Sequence, residues 1–109
     1  MSEDVAPKGY MYAEVTIKEE EPFFREYIDE VFPMMKRWGG KFLVLGGEPA
    51  VVEGDRAGYV KRVVIIEFES RARLEEFYYS DEYVALTKVR EKYSSAELYL
   101  LTGVTEQPY

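Results

Sequence analysis

The feature that most limits what this chain can fold into is the run from Val60 to Ser70, VKRVVIIEFES. Val63, Val64, Ile65 and Ile66 are four consecutive β-branched residues, and neither parity of side chains is polar until Glu67. That pattern suits a pleated segment covered on both faces. The run therefore reads as a strand in the middle of a sheet, and the remaining segments must cover it.

The flanking segments supply that cover. Tyr10 to Lys18, YMYAEVTIK, alternates Met11, Ala13, Val15 and Ile17 against Tyr10, Tyr12, Glu14 and Thr16, a strand with one greasy side and one aromatic, hydrogen-bonding side. Glu19 to Glu21 and Pro22 then form a helix start, with acid near the positive end of the dipole and proline in the first turn. Phe23, Tyr27, Val31, Met34 and Trp38 recur at helical spacing, widened by Phe24, Ile28, Phe32 and Met35, so this helix is expected to be buried along most of its length. Pro33 should kink it, because proline cannot donate to Asp29, and Gly39 and Gly40 should end it.

Lys41 to Leu45 reads as a second strand, followed by the bend Gly46 and Gly47, a short return arm over Ala50 to Glu53 and a loop from Gly54 to Tyr59. The glycine pair lacks the following residues of a phosphate loop. After the central strand, Ser70 is placed to cap a helix over Arg71 to Tyr79, and Ser80 to cap another that runs to about Tyr93. Ser95 to Thr102 alternates Ala96, Leu98 and Leu100 against Glu97, Tyr99 and Leu101, a last strand.

The order strand, helix, strand, strand, helix, strand predicts an α+β, ferredoxin-like βαββαβ fold. Right-handed crossovers place the first and third strands at the centre of a four-stranded antiparallel sheet, with the helices on one face. With 109 residues the chain is expected to be one domain over residues 9–104, between a disordered lead-in (1–8) and a tail (105–109). The sheet's second face would carry Tyr10, Tyr12, Tyr99, Leu101 and part of Val63, Ile65 and Glu67. An apolar patch of that kind marks an interface, so the expected assembly is a homodimer in which two sheets face each other.

Composition removes several function classes. A net charge of -7 argues against nucleic acid or an anionic membrane as partner, since both require a local excess of Lys and Arg. The sequence has no cysteine and no histidine. Thiolate nucleophiles, sulfur-ligated metals and imidazole-based triads are therefore impossible, and proton transfer falls to Asp, Glu, Lys or Tyr. Neither a metal nor an organic cofactor is expected. No apolar run approaches the roughly 20 residues of a membrane span, and the opening MSEDVAPK is unlike a signal peptide, so the expected location is cytoplasmic.

Three segments carry a family resemblance: WGGKFLVLGG (Trp38 to Gly47), VVIIEFES (Val63 to Ser70) and FYYSDEYVALTKVR (Phe77 to Arg90). Together they resemble the DUF1330 family, within the dimeric α/β-barrel superfamily, over Gly9 to Val104. The resemblance implies a ferredoxin-like subunit and a sheet-to-sheet dimer. It also implies kinship with cofactor-independent monooxygenases of polyketide-like aromatics, with muconolactone isomerases and with haem-dependent enzymes. Two positions depart from the family pattern, Leu45 where arginine is frequent and Arg56 where a tryptophan is frequent. If the strand arginine bound an anion, this chain has lost or relocated that contact. A haem ligand set is not supplied, because there is no imidazole.

Two clusters are candidates for chemistry. Ser80, Tyr83, Thr87 and Arg90 form one ridge about two turns long, and Ser80, Glu82, Tyr83 and Arg90 match the family pattern. In one reading Ser80 caps, Glu82 complements the dipole, Tyr83 packs and Arg90 pairs with a carboxylate. In the other, Tyr83 and Arg90 anchor a ligand between helices and sheet, Arg90 holding a carboxylate or phenolate. The second cluster is Glu67, a general-base candidate at the end of an apolar strand, with Tyr12 or Tyr99 orienting the substrate. Its alternative is an ion pair with Arg62, Lys41 or a partner-chain cation. Trp38 reads as a core residue or a pocket wall.

The functional expectation is a cofactor-independent small-molecule enzyme, of oxygenase or isomerase type, acting on an aromatic or acidic metabolite. The alternative is a non-catalytic dimeric protein that binds a small aromatic or carboxylate ligand or is purely structural. A mainly apolar cavity with convergent polar groups would favour the first. A filled interior with Arg90 tied to a carboxylate would favour the second.

Overall fold

Strands β1 (Gly9–Ile17), β2 (Lys41–Gly46), β3 (Arg62–Phe68) and β4 (Ser94–Thr102) form one antiparallel sheet in the order β2-β3-β1-β4. The computed structural model describes residues 6–55 and 62–109. The first five residues of the expected lead-in, most of the loop expected after Gly54 and the first two residues of the central run lie outside the described residues. The β-branched run is central as expected, β3 lying between β2 and β1.

The helical layer lies on one face. It begins with α1 (Glu20–Phe23), continues through a π-helical segment over Phe24–Ile28 into α2 (Asp29–Arg37), and is completed by α3 (Arg71–Tyr78) and α4 (Asp81–Tyr93). The irregularity in the first helical arm is this wide turn, one turn before Pro33, which sits inside α2. Gly39, at φ 82°, takes the left-handed position that ends α2. Ser70 caps α3 by accepting from the Arg73 N–H at 3.0 Å, and Ser80 caps α4 by accepting from the Tyr83 N–H at 3.2 Å. The return arm expected over Ala50 to Glu53 does not form; those residues carry no strand, so the sheet keeps four strands.

Pleat parity sorts the sheet as the sequence pattern implies. Met11, Ala13, Val15, Ile66 and Phe68 are buried beneath the helices, joined there by Leu74, Phe77 and Tyr83. Phe77 stacks on Phe68 at 5.3 Å between ring centroids and meets Tyr83 at 4.5 Å, which locks α3 and α4 to the sheet through one aromatic cluster. Burying each such large side chain contributes about 1.5–3 kcal/mol. Gly9 is required by close approach, since a Cβ there would lie 2.7 Å from the Ser70 carbonyl oxygen. The first helical arm is less covered than expected: Phe24 and Phe32 are 43% and 39% exposed.

Candidate functional site

Between the first helical arm, α4 and the sheet lies a cavity with a free volume of about 60 Å³. Its walls are almost wholly apolar, from Met11, Ala13 and Val15 on β1 to Phe23, Val31 and Met35 on the helical arm. Phe24, Phe32 and the half-exposed Leu45 flank its opening. Among the described residues that line it, four are polar, namely Tyr27, Tyr83, Arg90 and Arg62.

Three of the four form a chain. Tyr83 and Arg90 are seven residues apart on α4, two turns, so both face inward, and the π-helical segment brings Tyr27 opposite them. An Arg90 Nη1–H donates to the Tyr83 hydroxyl oxygen at 3.0 Å, and the Tyr83 and Tyr27 hydroxyls are 2.9 Å apart. Either hydroxyl can donate to the other, and in both arrangements one proton of the tyrosine pair is left for a further acceptor. Burial pushes the Tyr27 hydroxyl well above the usual tyrosine value and raises that of Tyr83, against the pull of Arg90. Both are therefore neutral donors at ordinary pH. Burial works against the charged form of Arg90, but the facing phenol oxygens outweigh it and its pKa is raised. Arg90 is only 8% exposed, its Nε has no hydrogen-bond partner among the described residues, and its one carboxylate neighbour, the exposed Glu91, is 4.0 Å from Nη2. A buried donor left unpaired costs about 1–3 kcal/mol.

The expected site residues divide between the two faces of the sheet. Tyr83 and Arg90 come together in the cavity, whereas Ser80 is not among its lining residues. The Ser80 hydroxyl is engaged at the helix start, donating to the Phe77 carbonyl oxygen at 2.7 Å while it caps α4. Thr87 donates to the Val84 carbonyl oxygen at 2.7 Å. Tyr12, Tyr99 and Glu67 lie on the opposite face: the Tyr12 and Tyr99 rings are 5.9 Å apart, Tyr12 donates to Glu14 at 3.0 Å, and Glu67 accepts from the Tyr10 hydroxyl at 3.1 Å. Glu67 therefore cannot act as base on a ligand held by Arg90. Nor does Arg62 pair with it, because five residues along one strand is an odd step that puts the two side chains on opposite faces. Trp38 packs against Phe77, and its indole N–H donates to Glu82 at 2.7 Å. That bond, aided by Arg37, lowers the Glu82 pKa.

Tyr27 and Arg62 were the members not singled out by sequence. The signal for Arg62 was available in strand parity, since it shares its face with Val64, Ile66 and Phe68. Tyr27 sat inside an apolar stripe, and its hydroxyl partner is 56 residues away, which no local pattern reveals.

A ferredoxin-like α+β subunit with a mostly apolar cavity between helices and sheet, and donors at its inner wall, defines a class of fold rather than an activity. Residues 8–104 match the model of the family described as a domain of unknown function, DUF1330, and the chain belongs to that family. Two crystal structures of RPA0582 are similar in fold. One, described as a protein of unknown function from Rhodopseudomonas palustris, has a TM-score of 0.70 at 20% identity over 92% of this chain and 85% of that one. The other, of the methylated protein, has the same TM-score at 19% identity over 94% and 84%. SnoaB, a cofactor-independent oxygenase from Streptomyces nogalater, is similar with a TM-score of 0.64 at 12% identity, over 95% of this chain and all of that one. No curated protein sequence matches. Among the described residues no helix is long and apolar enough to cross a membrane, and no cluster of acidic side chains could hold a metal ion.

Proposed function

We propose that the cavity, whose free volume of about 60 Å³ is less than a whole ring needs, takes the oxygen-bearing end of a small aromatic compound while the rest lies in its open mouth, that this oxygen accepts from the Tyr27–Tyr83–Arg90 chain, and that the protein is a cofactor-independent enzyme of oxygenase or isomerase type. The observation that carries this reading is a buried arginine paired with tyrosine hydroxyls rather than with a carboxylate, at the inner wall of an otherwise apolar cavity. Such a group stabilises negative charge on a phenol, enol or carboxylate oxygen, and a dry surrounding strengthens the effect. An oxygen held as its anion feeds electron density to the adjacent carbon framework, which is where reaction with dioxygen or proton migration starts. The fold likeness to a cofactor-independent oxygenase is consistent with this chemistry.

One observation favours the non-catalytic alternative. Among the described residues no Asp or Glu lines the cavity, so no carboxylate of theirs is placed to take a proton there. Catalysis would need a substrate acidic enough to ionise against Arg90 by itself.

The open face completes the proposal. Tyr99 and Leu101 are 48% and 46% exposed beside Tyr12, Val63 and Ile65, an apolar patch three strands wide that a second copy would cover. The assembly we propose is a homodimer through this face, leaving each cavity on the far side of its sheet.

A thermal-shift screen against aromatic acids, phenols and quinols, with dioxygen uptake measured on the hits, tests the functional reading. Arg90→Met should fold, because replacing a buried charge with an apolar side chain of similar length costs little, within about 1–2 kcal/mol, and it should abolish the shifts. Shifts that survive in Arg90→Met would place the binding elsewhere.

A further inference from the structure

The fourth polar lining residue, Arg62, has no part in the tyrosine chain. It is the first residue of β3, pairs with Val15 of β1, and enters the cavity from the sheet, whereas Arg90 enters from the helical layer. Its guanidinium lies against the glycine that ends β2, and a Cβ at Gly46 would come within 3.3 Å of Nη2. No carboxylate among the described residues is within ion-pair distance of it, although the chain carries 21 acidic residues against 14 basic ones. With its tyrosines neutral, the cavity thus presents, among the described residues, two arginines and no acid inside a protein of net charge -7. Two like charges facing one cavity repel, the buried Arg90 is poorly hydrated besides, and an anionic ligand relieves both penalties.

We propose that Arg62 is a specificity-determining residue that reads a carboxylate on the ligand, while the hydroxyl chain of Tyr27 reads a second oxygen at the other wall. The ligand class is then a small aromatic acid that bears both a carboxylate and a phenol or keto oxygen. This rests on the cavity reading above and narrows it. A carboxylate suits Arg62 because a guanidinium offers two parallel N–H donors, and its half-buried position lets the charged end of a ligand keep some water.

The test compares para-hydroxybenzoate with para-cresol, which keeps the ring and phenol but lacks the carboxylate, by calorimetric titration of wild-type protein and of Arg62→Gln. The wild type should prefer the acid. Arg62→Gln should weaken the acid about tenfold and leave para-cresol within about twofold, and Arg62→Lys should recover part of the loss. Equal acid-to-cresol ratios in wild type and Arg62→Gln would overturn the role of Arg62 while the cavity reading stands. Failure of both compounds to bind the wild type, or para-cresol binding untouched by Tyr27→Phe, would overturn the cavity reading and this assignment with it.

Discussion

The two faces of the sheet are made from the same strands and differ in what their side chains can do. On β1, Met11, Ala13 and Val15 are buried under helices, while Tyr10, Tyr12 and Glu14 alternate with them on the uncovered side. The covered side has few polar groups: Arg62 on the sheet is half-buried, and above it on α4 Tyr83 is fully buried and Arg90 nearly so, each bonded to the other. The open face has many polar groups, arranged in pairs such as Tyr10 with Glu67 and Tyr12 with Glu14, that keep water within reach. An electrostatic interaction is strong where water is excluded and weak where it is not. The same residue types therefore make a ligand site on one face and a solvated or interface surface on the other.

The largest expected contrast is in packing. Phe68→Ala, on the covered face, should cost about 3–5 kcal/mol of unfolding free energy, while Tyr99→Ala on the open face should cost the monomer no more than about 1 kcal/mol. Urea denaturation at low protein concentration measures both, and similar losses would mean that the faces are not distinct.

Alkaline pH should give the next largest effect. Tyr27 and Tyr83 have raised folded-state pKa values, so the native state keeps protons that the unfolded chain releases. Their contribution is fully present below the ordinary tyrosine value of about 10 and is lost as pH rises above it, by up to about 1.4 kcal/mol per pH unit for each group. Denaturation between neutral pH and about pH 11 should show this fall, and the double variant Tyr27→Phe, Tyr83→Phe should flatten it. A slope unchanged by the double variant would show that the cavity tyrosines are not the source.

The smallest effect belongs to Glu67. Its hydrogen bond with Tyr10 sits on the open side, so Glu67→Gln should change stability by no more than about 0.5–1 kcal/mol and leave ligand affinity unaltered. Loss of binding in this variant would move the site to the open face.

Much of this arrangement is legible in the sequence, for reasons that differ by element. Strand parity assigned the residues of β1, β3 and β4 to their faces because a period of two leaves no freedom once one face is buried. Ser70 and Ser80 announced two helices because a cap is a local event. Arg90 and Tyr83 could be paired from a seven-residue spacing on one helix. Tyr83 and Arg90 line a cavity between helices and sheet, where the sequence reading set them, but the part of Tyr27 in it was not legible: its hydroxyl partner is 56 residues away and it reaches Tyr83 from the π-helical segment Phe24 to Ile28. Keeping Glu67, Tyr12 and Tyr99 apart from Tyr83 and Arg90 as a second cluster followed from the same parity, since the sheet stands between the two groups.

Amide and methyl NMR mapping of para-hydroxybenzoate bound to the wild-type protein is the most direct test of where the site lies. The account predicts that the perturbed signals belong to Ala13, Tyr27, Val64, Tyr83 and Leu98 around the cavity, with Tyr10, Tyr12, Glu67 and Tyr99 unmoved. Perturbations gathered on those last four residues, with the cavity signals still, would contradict it.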